Sequence, residues 1–134
     1  MPEIIYPQLS YKIMGVLFEV HNKLGYRYQE KYYQRAAALG FNKANLKYEK
    51  ELKVDLDFDG KIIGKYFLDF LVEGKIVVEF KAEPKFIKQD IRQVLAYLKS
   101  KNLKLGILIN FRSQRLRSLR IINADYKESI RENS

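Results

Sequence analysis

The chain has 134 residues, enough for one domain over 1–134, with 47% hydrophobic and 31% charged residues, proportions of a globular rather than a disordered or fibrous protein. Its 25 Lys and Arg outnumber 16 Asp and Glu, and the resulting charge of +9 attracts polyanions. With no cysteine and a single histidine, His21, the sequence excludes disulfides, thiolate nucleophiles, zinc fingers and poly-histidine metal sites, so a bound metal must rest on oxygen ligands.

The first eight residues lack the basic start and apolar core of a signal peptide. No apolar run approaches the roughly 20 residues of a membrane span, so a cytoplasmic protein with no membrane partner is expected. Ile13, Val16, Leu17, Val20 and Leu24, spaced by three and four, draw the stripe of a first helix, with Gln8 or Ser10 as its cap and Gly25 at its end. A second helix is expected over Glu30 to Leu39, stopping at Gly40. From Leu46 the period changes: Leu52, Val54, Leu56 and Phe58 alternate with charged residues, as in a half-buried strand. Asp59-Gly60 signals a short hairpin turn into a second strand, Ile62 to Val72. Glu73-Gly74 gives another turn into a third strand, Ile76 to Lys81, apolar on both faces and therefore central. After Pro84 a helix is expected from Ile87 to Lys99, followed by a buried strand, Leu105 to Ile109, parallel to a neighbour, and a last strand at Leu119 to Ile122. The predicted architecture is α/β, a mixed central sheet with a three-strand antiparallel meander flanked by helices, in the order α-α-β-β-β-α-β-β.

Chemistry concentrates between Asp69 and Lys81. Glu79 and Lys81 are two apart on a strand, so they leave the same face of the sheet. A three-residue loop at Glu73-Gly74-Lys75 sets Asp69 directly opposite Glu79; a two-residue loop sends it to the other face unless a bulge intervenes. Two carboxylates converging beside one lysine repel each other unless a divalent cation lies between them, and the lysine can then polarise water or counter developing negative charge. A buried ion network is the structural alternative, since charge in an apolar strand needs partners.

The pattern Asp69-x9-Glu79-x-Lys81 resembles the PD-(D/E)xK nucleases, with their restriction-endonuclease-like core. Nearly the whole chain is similar to the GxxExxY family within them, through His21-Asn-Lys-Leu24-Gly25, Glu30-Lys-Tyr-Tyr33, Asp69-Phe-Leu-Val, Val78-Glu79-Phe-Lys81-Ala82, Gln93-Val-Leu-Ala-Tyr97-Leu-Lys and Gly106-Ile-Leu-Ile-Asn110-Phe. Two positions depart from that pattern: Arg27 stands where the family has its naming glycine, and Arg112 where a glycine is expected after Asn110-Phe111.

The resemblance implies that Asp69, Glu79 and the backbone carbonyl of Phe80 hold Mg2+ or Mn2+, with Glu30 as an added metal or water contact, and that Lys81 orients or activates the attacking water. Gln93 and Tyr97, four apart on one helix face, match a Gln-x3-Tyr motif that steadies the site and the DNA. His21, between apolar Val20 and Leu24, reads as a structural hydrogen-bonding residue rather than a base. The implied function is metal-dependent phosphodiester hydrolysis in nucleic acid, DNA in preference to RNA. The alternative is an idle nucleic-acid-binding or assembly module of the same fold. Binding is expected to be backbone-driven and salt-sensitive, and a homodimer is compatible with the fold.

Overall fold

The computed structural model describes residues 5–128. In chain order it contains α1 (Pro7–Leu24), α2 (Glu30–Lys43), β1 (Tyr48–Phe58), β2 (Lys61–Val72), β3 (Ile76–Lys81), α3 (Lys88–Lys101), β4 (Leu105–Asn110) and β5 (Arg117–Ile122). The element order is the expected one. The strands form one five-stranded sheet in the order β1-β2-β3-β4-β5. Only β3 and β4 run parallel, joined across α3; every other neighbouring pair is antiparallel.

The sheet is the middle layer. On β3, Ile76, Val78 and Phe80 face α1 and α2, packing with Ile13, Leu17 and Phe41. Val77 faces the other way and packs with Val94 and Leu98 of α3 and Leu108 of β4. Every residue of β4 is buried, the two-sided burial that a continuous apolar run requires. Each such aliphatic side chain contributes about 1.5–3 kcal/mol on leaving water. No described helix is long and apolar enough to cross a membrane.

Three local expectations are corrected. Helix α1 starts one turn earlier than a Ser10 cap allows: Pro7 fills its first turn, Tyr6 is the N-cap without a side-chain bond, and Ser10 is buried inside the helix. Proline suits that position because its missing N–H is unused there. Helix α2 runs through Gly40 to Lys43. A Cβ at Gly40 would lie 2.6 Å from Val16 Cγ1, so this glycine permits close approach of α1 rather than ending a helix. Of the stripe expected on α3, Ile87, Ile91, Val94, Leu95 and Leu98, only Val94 and Leu98 are buried; Asp90 and Tyr97 join them, and Ile87 is exposed.

The Asp59–Gly60 turn has both residues at positive φ, 50° and 81°, as a tight hairpin demands. Beyond Leu68 this hairpin outgrows the sheet, because β3 pairs only with Phe70, Leu71 and Val72 of β2. Its outer half leaves Phe58 and Ile62 64% and 66% exposed.

Candidate functional site

The pairs Val72–Ile76, Leu71–Val77 and Phe70–Val78 fix a three-residue loop at 73–75. That register sets Asp69 level with Glu79, as the first of the two sequence alternatives requires. The main-chain ladder, however, stops one pair short of them. The Asp69 N–H donates to Glu79 Oε1 and the Phe80 N–H to Asp69 Oδ2, each at 2.8 Å. The two carboxylates therefore accept main-chain donors that a longer ladder would have used. They occupy the gap where β2 and β3 part.

This gap admits groups from both helical layers. From α2, Gln34 Nε2 donates to Asp69 Oδ1 at 2.8 Å and to Glu30 Oε2 at 3.1 Å, bridging the two acids. From the other layer, Asp90 Oδ1 of α3 lies 3.4 Å from Lys81 Nζ, which also stands 3.7 Å from Glu79 Oε2. Expected residues Glu30, Asp69, Glu79 and Lys81 are thus brought together. Gln34 and Asp90 are additions. Gln34 carried a readable signal, being one helical turn after Glu30; Asp90 carried a weaker one, an acid on the stripe of Val94 and Leu98.

Electrostatics in the gap are strained. Burial, then the charge of Asp69, pushes Glu79 up to about 9. Asp69 is also raised by burial, although the Phe80 N–H opposes the shift. The charge of Asp69 opposes ionisation of Glu79, so the two titrate as a pair. Burial and Asp69 likewise raise Glu30 to about 7. Burial works against the Lys81 ammonium, but Glu79, Asp90 and Glu30 together outweigh it and hold its pKa above the usual lysine value. Glu83 is raised by burial and by Asp90, and among the described residues the enclosed Glu83 Oε2 and Asp90 Oδ2 find no hydrogen-bond partner.

The surrounding frame holds α2 in place. Tyr33 stacks on Phe111 at 4.3 Å, and its hydroxyl donates to the Gly25 carbonyl at 2.7 Å. The Arg112 guanidinium donates to the carbonyls of Tyr26 and Tyr28 at 3.1 and 3.0 Å. Arg112, which stands where a glycine was expected, is therefore a clamp on the loop leading into Glu30. His21 Nε2 lies 2.8 Å from the Ser113 carbonyl, the structural role expected of it. Arg27 is exposed.

The Gln-x3-Tyr pair sits differently from the acids. Tyr97 is buried in the α3 layer with Val77 and Leu108, and burial followed by the charge of Glu49 raises its pKa. Gln93 contributes its main-chain carbonyl to the Tyr66 hydroxyl at 3.4 Å. Among the described residues no hydrogen bond joins either side chain to Asp69, Glu79 or Lys81; the α3 residue in contact with Lys81 is Asp90.

Fold and site together define an α/β protein with a restriction-endonuclease-like core, in the described residues three helices around a mixed five-stranded sheet. A family model described as the PD-(D/E)XK nuclease superfamily matches residues 7–121. The chain belongs to that superfamily. Among solved structures it is similar to one described as "Crystal structure of SSO0001", with 18% identity over 85% of this chain and 77% of that one and a TM-score of 0.45. No curated protein matches it.

Proposed function

We propose that the protein is a metal-dependent nuclease of the GxxExxY type, a single domain over 1–134 that hydrolyses phosphodiester bonds in DNA. One observation carries the reading: two carboxylates, the buried Glu79 and the half-buried Asp69, share the gap between β2 and β3 with a charged lysine.

The donor set suits a hard divalent ion such as Mg2+ or Mn2+. Its atoms are oxygens, and both carboxylates are held above their ordinary pKa by burial that a cation would offset. Among the described residues no three acidic or histidine side chains stand in ready-made ligand geometry. The reading therefore needs Asp69, Glu79 and the Phe80 carbonyl as protein donors, with water or Glu30 completing them. When bound, such an ion polarises a phosphoryl oxygen and lowers the pKa of a bound water.

The chain's own residues supply the rest. Lys81, held as an ammonium by Glu79 and Asp90, is better suited to neutralise charge building on the phosphate than to accept a proton. Asp90 positions that ammonium. Glu30, raised to about 7, can accept or return a proton near neutrality, and Gln34 aims it alongside Asp69. Gln93 and Tyr97 steady α3 behind Asp90.

Incubation of single- and double-stranded DNA with manganese or magnesium tests the reading, with wild type beside Lys81→Ala. Products from wild type alone support it. If both proteins bind DNA and neither cuts, the protein is a binding module and the nuclease reading falls.

A further inference from the structure

Beside Asp69, a cavity of about 240 Å³ opens between α2 and the β1–β2 strands. Its lining includes Lys31, Arg35 and Lys50, against two carboxylates, Glu51 and Asp69. Lys31, Gln34, Arg35 and Ala38 recur at helical spacing, so one face of α2 forms the wall that also carries the Gln34 bond to Asp69.

The opposite wall has an unusual backbone. The β1–β2 ladder passes from Lys50–Phe70 to Leu52–Leu68 without a Glu51–Asp69 pair, and Glu51 takes φ 58°. A non-glycine residue in the left-handed region inside a strand is disfavoured, and such outliers gather at functional sites. This one lies where the sheet edge meets the cavity.

An exposed aromatic pair stands next to the cavity's Lys31 and Arg35. Tyr28 and Tyr32 are 49% and 42% exposed, with ring centroids 6.0 Å apart and nearly edge-on. Lys31 Nζ and the Arg35 guanidinium lie 5.3 and 5.7 Å from the Tyr32 ring centroid. Two cations lining the cavity therefore also flank the exposed ring. Cations that follow a backbone, interleaved with aromatics that accept unpaired bases, make up a single-strand binding surface. A duplex keeps its bases stacked and offers no free face to such a ring.

We propose that this cavity and the Tyr28–Tyr32 pair form a track for single-stranded DNA beside the carboxylate cluster. Lys31, Arg35 and Lys50 take the backbone phosphates next to the scissile one, and Tyr32 stacks on an unpaired base. An arriving base takes over a face of Tyr32 and releases one of the flanking cations to a phosphate. The track rests on the nuclease reading and adds to it a substrate form and an approach direction.

Fluorescence anisotropy in EDTA, where no metal supports cleavage, tests the track with a labelled single strand of about 12 nucleotides and the matching duplex. The single strand is expected to bind more tightly than the duplex. The double variant Lys31→Ala/Arg35→Ala is expected to weaken single-strand binding about tenfold and to flatten the dependence of log affinity on log salt by about 1.4. Tyr32→Ala is expected to lose about tenfold with the salt slope unchanged, and Tyr32→Phe to recover wild-type affinity. All three side chains are on the surface, and circular dichroism checks that each variant is folded. Equal or tighter duplex binding, or wild-type single-strand affinity in Tyr32→Ala and in the double variant, overturns the track. A parallel cleavage assay with manganese separates the two readings. The expected binding pattern without any cleavage leaves the track standing and removes the nuclease. Cleavage together with binding indifferent to these variants removes the track alone.

Discussion

The two ends of β2 and β3 use the same sheet for opposite purposes. At one end Val72, Ile76, Val77 and Val78 are fully buried and paired along the ladder, each side chain lowering the free energy of folding. One residue pair further on, the ladder ends and the sheet holds Asp69 and Glu79 in its gap, with Lys81 beside them. There burial opposes ionisation, so these groups cost stability where the neighbouring aliphatic residues supply it. The contrast teaches that the apolar end serves as an anchor: only strands fixed in register can keep two repelling carboxylates in contact.

Stability measurements on metal-free and metal-loaded protein sharpen this contrast. At the anchored end, Ile76→Ala is expected to cost about 3 kcal/mol, read as a lower denaturation midpoint, since the side chain is fully enclosed. At the charged end, manganese at about a hundred times its dissociation constant is expected to raise stability by about 2.7 kcal/mol and to release protons on binding. Calorimetry in two buffers of different ionisation heat reads both; no thermal shift and no proton release would count against the metal site. Without metal, Glu79→Gln is expected to stabilise the fold at neutral pH by on the order of 2 kcal/mol, because glutamine keeps an acceptor for the Asp69 N–H without the ionisation penalty. A destabilised Glu79→Gln would instead identify a structural ion network.

The pH dependence of the metal-free protein follows with a definite sign. Glu79 moves from 4.5 to about 9 and Glu30 from 4.5 to about 7 on folding. The native state therefore binds more protons than the unfolded chain above 4.5, and stability falls as pH rises. The Glu30 contribution is lost by about 7 and the Glu79 contribution by about 9. Urea midpoints across this range read the trend, which Glu79→Gln should flatten. The smallest effect belongs to the outer hairpin, where Phe58 is 64% exposed: Phe58→Thr is expected to change stability by about 0.5 kcal/mol or less.

Much of this was legible in the residue order. The period-two alternation of β1, the Asp59–Gly60 turn and the two-sided apolar runs of β3 and β4 each follow from local geometry and burial, so the element order needed no tertiary knowledge. The shared face of Glu79 and Lys81 was legible too, because strand alternation dictates it. The residue order left two loop lengths open, and the three-residue loop that sets Asp69 opposite Glu79 came from the fold. Helix α2 and its Gly40 were misread because a glycine signals both a stop and a close approach, and Val16, distant in sequence, decides between them.

By itself, then, the sequence determined the α/β order, the shared face of Glu79 and Lys81, and the oxygen-only character of any metal ligands. Tertiary structure decided that a three-residue loop sets Asp69 opposite Glu79, that β2 and β3 part there, and that Gln34 reaches Asp69 from one layer while Asp90 meets Lys81 from the other. It also turned Arg112 into a clamp on the loop before Glu30. The physical reason is range. Alternation and turn length act over a few residues, whereas where a ladder ends and which helix covers the gap depend on how separate elements pack.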